Sequence, residues 1–326
     1  MKGKRAVILH NRVTADSPKD ELDVLVQAAE IERSLIELGY RPEIVPFSLD
    51  VEQAIRDLRR IEPLFVFNLV ESVAGDGRLI HMAPAILDHL GLRYTGSSQE
   101  AIFVTSNKLL GKKLLQQSGV ATPPWLGAGA GLENPDVDAG TYLLKSAWEH
   151  ASNWFADDSI VRVGDALELR ALLAKKNGRG GGFYAERYIE GREFNQAILA
   201  GEFLPLAEIR FIEFPADKLR IVDFRAKWEE TSFEYTHTQR SFDFPAAERP
   251  LLEELRAVAR RCWDGLSLGG YARVDFRVDG ENRPWVLEIN TNPCLSPDGG
   301  FAAAAARQGL SYTGMVQRIV DDCLSR

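Results

Sequence analysis

Between Tyr271 and Pro293 the chain gathers side chains whose types and spacing could do chemistry: Arg273, Asp275, Glu288 and Asn290. The stretch reads as a β-hairpin, two alternating strands around Asp279-Gly280, a favoured tight-turn pair. In the first strand Val274, Phe276 and Val278 share one face, so Arg273, Asp275 and Arg277 share the other. In the second, Trp285, Leu287 and Ile289 lie on one side and Glu288 and Asn290 on the opposite one. Closing the hairpin would set Asp275, Glu288 and Asn290 on one polar surface beside Arg273. Three oxygen donors, two of them anionic, suit Mg²⁺, which takes carboxylate and amide oxygens together with substrate phosphates. A charged strand face turned to water is the plainer alternative. Asn-Thr-Asn-Pro directly after a strand does little for a β-ladder, and that favours the metal site.

Phosphate chemistry also needs cations. Lys145 ends an apolar run, Tyr-Leu-Leu-Lys, that would aim its ammonium into a cleft; alone, a lysine at a strand end more often faces water. Lys108 opens a helix beside Lys112 and Lys113, where a solvated basic face competes with a phosphate role. By spacing alone, Glu186 and Glu193 are surface carboxylates. Other nucleotide and metal signatures are absent. Gly178-Arg-Gly-Gly-Gly182 misses the dinucleotide pattern and precedes a strand, Gly111-Lys112 lacks the earlier glycine of a phosphate loop, and the five histidines have no HExxH arrangement.

The elements that must position these residues follow from hydrophobic periodicity. The first hundred residues alternate strand and helix: strands near 5–9, 43–47 and 64–70, helices near 21–38, 51–61 and 79–90. Such alternation predicts a parallel sheet flanked by helices, with ligands at the strand C-terminal ends. Glu71-Ser-Val-Ala-Gly-Asp-Gly77 is therefore a candidate substrate loop. A helix over 107–117 leads into strands near 142–146, 159–163 and 183–189 and a helix near 166–176. Alternating strands follow between Glu193 and Phe224, then a helix near 247–263, the hairpin and a final helix from Ser311. Domains are expected at 1–104, 105–188 and 189–326.

Composition narrows the function classes. At 326 residues, 45% hydrophobic and 26% charged, the chain is an ordinary globular protein with room for two or three cores. A net charge of −8 argues against nucleic acid or anionic membrane as partners. No apolar stretch approaches the roughly 20 residues that span a bilayer. Cys262, Cys294 and Cys323 show no CxxC spacing, so no disulfide framework or zinc site is indicated, and a reducing cytoplasm is the expected location.

The hairpin also carries a resemblance. Arg273-x-Asp275 with Leu287-Glu288-Ile-Asn290-Thr-Asn-Pro293 is similar to the metal-binding signature of the ATP-grasp ligases. Tyr94-Thr-Gly-Ser97, Ser106-Asn-Lys108 and Ala305-Ala-Arg-Gln-Gly-Leu-Ser311 bring the chain nearest to the D-alanine–D-alanine ligase branch. The similarity runs from Asn68 onward; the residues before it share only the strand–helix rhythm. The resemblance implies an α/β chain (α+β overall) with the ATP-grasp fold. That means an N-terminal Rossmann-like parallel α/β domain, a small central domain and a C-terminal, mainly antiparallel α+β domain.

The same resemblance implies ATP and Mg²⁺ as cofactors, with Mn²⁺ a substitute, and small carboxylate and amine substrates; a homodimer is compatible with it. It puts Lys108 and Lys145 at the ATP phosphates, Glu186 at the adenine amino group, the backbone of Arg187–Ile189 at the adenine edge and Glu193 at the ribose. Lys227 would contact phosphate, Asp275, Glu288 and Asn290 would hold the metal, and Arg273 would meet the transferred group, where a planar guanidinium suits developing negative charge. The implied reaction has two steps: a carboxylate takes the γ-phosphate to become an acyl phosphate, and an amine then displaces phosphate to leave an amide.

Departures from the family fall around the substrates. No glycine-rich turn follows the first strand, Val70-Glu71 replaces a His-Gly, and Ala147–Phe155 replaces a glycine-rich phosphate loop. Trp228 stands where a tyrosine is expected, Cys294 for a glycine, and Asp298-Gly-Gly300 for the serine–leucine that meets the second substrate's carboxylate. The expectation is an ATP-dependent carboxylate–amine ligase acting on amino-acid-like substrates other than two D-alanines, with Glu71, Cys294 and Asp298 as substrate contacts. A D-alanine–D-alanine ligase of cell-wall synthesis, transfer ending at a phosphorylated product, and a non-catalytic nucleotide-binding protein stay open as alternatives.

Overall fold

The computed structural model describes residues 4–127, 137–148, 159–178 and 182–326. The chain begins with β1 (Arg5–Asn11), α1 (Lys19–Glu37), β2 (Arg41–Phe47), α2 (Val51–Ile61) and β3 (Phe65–Leu69). These strands form a parallel sheet in the order β2-β1-β3. In β1 and β3 the apolar runs are buried on both faces, as a helix-covered parallel sheet requires. Helices α3 (Met82–His89), α4 (Gln99–Ser106) and α5 (Lys108–Gln117) follow, and α4 is an element that the sequence pattern did not predict. Asn107 separates α4 from α5 by leaving helical geometry, and its side chain accepts from the Leu110 N–H to cap α5.

The second sheet is antiparallel, ordered β4-β7-β5-β6, from β4 (Trp125–Leu126), β5 (Gly140–Ser146), β6 (Ile160–Val163) and β7 (Phe183–Arg187), with α6 (Ala166–Asn177) packed on it. The third is antiparallel in the order β11-β10-β8-β12-β13, with β9 on β8. It is built from β8 (Arg192–Leu199), β9 (Glu202–Phe203), β10 (Ala207–Phe211), β11 (Thr238–Ser241), β12 (Tyr271–Val278) and β13 (Pro284–Asn290). Short α7 (Phe224–Trp228) and α8 (Phe233–His237) lie between β10 and β11, and α9 (Arg249–Gly265) covers one face of the sheet. Gly191 joins the second sheet to the third. A Cβ there would stand 1.9 Å from the Val278 carbonyl oxygen, so only glycine lets the chain pass.

The chain closes with α10 (Gly300–Arg307) and α11 (Tyr312–Ser325). Their apolar side chains, Phe301, Met315, Ile319 and Val320 among them, share one core with Ile8, Phe67, Ile31 and Leu35 of the first sheet and α1. Elements from the end of the chain thus complete the packing of its beginning. Among the described residues no helix is long and apolar enough to cross a membrane.

The hairpin forms as expected, with one correction. Its turn runs from Asp279 to Arg283, with Asn282 at φ 60° and the Asp279 carboxylate accepting from the N–H groups of Glu281 and Arg283. Asp275 pairs with Glu288 but Phe276 pairs with Val286, so Leu287 is the extra residue of a β-bulge. Strict alternation put Leu287 with Ile289 on the core face. The bulge instead buries Val286 with Ile289 and turns Leu287 into the wall of a cavity.

Candidate active site

A cavity of about 540 Å³ opens between the second and third sheets. Its wall includes Lys108, Lys145, Glu186, Arg187, Ile189, Glu193, Lys227, Arg273, Asp275, Glu288, Cys294 and Asp298. Asn290 reaches the same place through its hydrogen bonds. Glu71 does not line the cavity.

The cationic end is organised by Glu186. Lys145 on β5 stands opposite Tyr184 on β7, and Glu186 lies two residues along β7 on the same face. One Glu186 oxygen is in contact with the Lys145 ammonium; the other lies 2.7 Å from Lys112 Nζ and 3.3 Å from the Tyr184 hydroxyl, which donates to it. Lys112 is 2% exposed and donates also to Thr122 Oγ1 and the Pro123 carbonyl. Burial alone would raise the Glu186 pKa, but the charges of Lys112 and then Lys145 bring it down to about 2, so the carboxylate stays ionised. Lys108 and Lys112 lie four residues apart on one face of α5, Lys108 at the cavity and Lys112 beneath it. Burial lowers the Lys108 pKa, with Glu288 opposing. Lys112 had looked like part of a solvated basic face, and holding two lysines is a role for Glu186 that its sequence position did not suggest.

The stretch after β7 is tied down by Arg277, which is buried although its strand face was expected to be polar. Its guanidinium donates to the Ile189 carbonyl at 3.0 Å and the Tyr188 hydroxyl at 2.7 Å, and pairs with Glu193 at 3.4 Å. The N–H groups of Arg187 and Tyr188 donate to Pro124 and Thr141. Burial raises the Glu193 pKa, opposed by Arg277 and reinforced by Asp275.

The hairpin brings its own polar side chains together in the same cavity. The Asn290 amide nitrogen lies 3.1 Å from Asp275 Oδ2 and 3.3 Å from Glu288 Oε1. An amide that spans two carboxylates can turn its oxygen to a cation that displaces the nitrogen, because oxygen and nitrogen exchange by a simple flip. This donor set fits a hard divalent cation such as Mg²⁺. Arg273 holds Asp275 in a two-point pair, Nε–Oδ1 2.7 Å and Nη2–Oδ2 2.9 Å. Asn195 donates to the same carboxylate at 2.8 Å. Although burial disfavours its charge, Asp275 holds Arg273 firmly protonated.

Asp23 on α1 lines the cavity and was missed in the sequence. It accepts from the Cys294 thiol at 3.2 Å, from the Ser296 hydroxyl at 2.8 Å and from Gln27 at 3.1 Å. Gln27 also donates to Glu71 at 3.0 Å, linking Asp23 in the cavity wall to Glu71, which is not part of that wall. Burial lifts the Glu71 pKa to about 7 against the Gln27 hydrogen bond, with help from the charges of Asp23 and Asp20. Burial, then Glu71 and Asp23, push the Cys294 thiol up as well. Asp20, Glu21 and Asp23 stand in the first turns of α1, but nothing local in the sequence links them to residues near 294.

Lys227 and Trp228 enter the cavity from α7, and the Trp228 indole nitrogen is buried without a hydrogen-bond partner among the described residues. Of the segment expected to replace a phosphate loop, Ala147 and Trp148 are described and residues 149–155 lie outside the described residues. Ala147 ties the site together through its backbone, accepting from the Lys108 N–H and donating to the Gly182 carbonyl.

Comparison with known proteins bears on the family and the fold. Residues 160–321 match the family model described as D-ala D-ala ligase C-terminus. The chain is 28% identical over 311 residues to a D-alanine–D-alanine ligase of Synechococcus sp. (strain JA-3-3Ab), covering 93% of this chain and 89% of that one. It is 31% identical over 260 residues to the protein y4sG of Sinorhizobium fredii, covering 78% and 73%. The solved D-alanine–D-alanine ligase from Bacillus anthracis complexed with ATP superimposes with a TM-score of 0.73 over 99% of this chain and 98% of that one, at 22% identity, which shows a shared fold.

Proposed function

The chain belongs to the D-alanine–D-alanine ligase-like branch of the ATP-grasp superfamily, and we propose that its cavity joins a carboxylate to an amine at the expense of ATP through an acyl phosphate. One observation carries the reading. Arg273, Asp275, Glu288 and Asn290 converge in a cavity whose wall also presents Lys108 and Lys145. ATP needs both sets, because its phosphates carry the charge and catalysis of phosphoryl transfer is mostly positioning and charge neutralisation. Lys108, Lys145 and Lys227 would bind phosphate, Glu193 the ribose, and the Ile189 N–H, which donates to no described residue, the adenine edge. Asp275, Glu288 and Asn290 would hold Mg²⁺, which when bound neutralises phosphate charge. Arg273, fixed by Asp275, would face the oxyanion as the acyl carbon becomes tetrahedral.

Substrate identity is a finer matter. Several of the curated relatives carry the name D-alanine–D-alanine ligase, which favours D-alanine at both positions over the expectation of other substrates. The argument for excluding it rested on Val70, Glu71, Cys294 and Asp298; of these Cys294 and Asp298 line the cavity and Glu71 does not, whereas Asp23 does and suits a substrate ammonium group. The experiment is direct: wild-type protein with Mg-ATP and D-alanine, followed by phosphate release and product mass. D-alanyl-D-alanine supports this reading. Phosphate release that appears only with a different amine would restore the other-substrate expectation, and no release with any amino acid would remove the ligase assignment.

A further inference from the structure

Arg240 on β11 lines the cavity, and its guanidinium makes no hydrogen bond or ion pair with any described residue. It lies along the backbone of Gly300: its Nη2, Nε and Cζ stand 3.5, 3.6 and 3.7 Å from where a Cβ at 300 would be. A second guanidinium, that of Arg273, is close enough that its charge, after burial, lowers the Arg240 pKa, while Asp298 opposes the shift without forming an ion pair. Arg273 is already engaged at Nε and Nη2 by Asp275. Two neighbouring cations in a half-enclosed cavity repel each other unless an anion joins them. Asp275 pairs with Arg273 and is held also by Asn195 and Asn290, and Asp298 makes no ion pair with Arg240, so the partner still lacking is one for Arg240.

On the ligase reading, the amine must attack beside Arg273, so the rest of the amine-bearing molecule extends along the nearby wall. Gly299 and Gly300 form part of that wall and carry no side chains to fill it. We infer that Arg240 is a specificity-determining residue that reads a carboxylate on the amine-bearing substrate, making the second site selective for amino acids over uncharged amines. A planar guanidinium offers a carboxylate two parallel N–H donors, and a neutral amide or ester of the same shape accepts far less strongly.

The test uses D-alanine and Mg-ATP with competing nucleophiles. Hydroxylamine reports acyl-phosphate formation as hydroxamate, while D-alanine and D-alaninamide compete for the second site and are scored by product mass. The wild type should prefer D-alanine over D-alaninamide about tenfold or more. Arg240→Gln should abolish that preference, with the KM for ATP in the hydroxamate assay moving less than twofold, and Arg240→Lys should restore part of it. A preference unchanged in Arg240→Gln would overturn the assignment. So would an equal loss of hydroxamate and dipeptide, or an Asp298→Asn variant matching Arg240→Gln, since either would make Arg240 a structural partner. If the wild type yields no hydroxamate from D-alanine, the D-alanine ligase reading fails and takes this inference with it.

Discussion

Lys112 Nζ and Glu186 Oε2 meet at 2.7 Å with both side chains closed off from solvent. The pair links α5 to β7, and through the other oxygen of Glu186 it also sets the place of Lys145. The cationic wall of the cavity therefore has a buried foundation in addition to the lysines that face the ligand.

Lys112→Met leaves a buried carboxylate with one partner fewer, and breaking such a pair costs about 3–5 kcal/mol. Adding Glu186→Gln should recover more than half of that loss in urea melts, because the two residues act as one unit. Purely additive losses would contradict this. The Glu186 pKa is depressed from 4.5 to about 2, so its stabilisation is present above pH 4.5 and is lost as pH falls toward 2. Glu186→Gln should show a shallower acid limb than the wild type.

Glu71 has the opposite sign. Its pKa is raised from 4.5 to about 7, so the folded state binds more protons than the unfolded one between those values. Stability should decline as pH rises from 4.5 to 7, and Glu71→Gln should flatten that decline. An unchanged slope in the variant would contradict this assignment to Glu71.

The hairpin bulge separates two neighbours. Val286→Asp puts an unpaired charge into the core and should prevent folding, whereas Leu287→Ser should stay folded and weaken ATP binding severalfold. Circular dichroism and ATP titration read both. If Leu287→Ser unfolded and Val286→Asp did not, the register would be wrong.

Glu288→Gln and Asn290→Ala should each reduce phosphate release by about a hundredfold or more while Tm moves little, since neither side chain belongs to the apolar core. Near-normal turnover in Glu288→Gln would falsify the metal-ligand role. Asp275→Asn should cost stability too, because that carboxylate also anchors Arg273 and Asn195.

How far the sequence could be read follows from the range of each signal. The hairpin, most helices and the convergence of Asp275, Glu288 and Asn290 were legible because alternation and helical periodicity are local. The bulge was not, since one inserted residue leaves the apolar pattern of β13 looking regular while changing which side chains are buried. Lys112 and Glu186 are 74 positions apart, and Asp23 meets residues near 294. Their roles arise from packing between elements, which no window of sequence contains. Arg240 sits on a four-residue edge strand with no motif around it, so only its nearness to Gly300 and Arg273 draws notice.

The core shared by α11 and the first sheet has a consequence for synthesis. During translation β1, α1 and β3 emerge long before Tyr312, yet Ile8, Phe67 and Leu35 need α10 and α11 to exclude water from that side. The leading part of the nascent chain must wait, with an apolar face open to chaperones, until the helices at 300–325 leave the ribosome. Ribosome-bound chains arrested before residue 312 should be cleaved readily within residues 4–104, and chains released past 325 should resist. Protection at the earlier arrest point would mean that the first sheet closes its core without those helices.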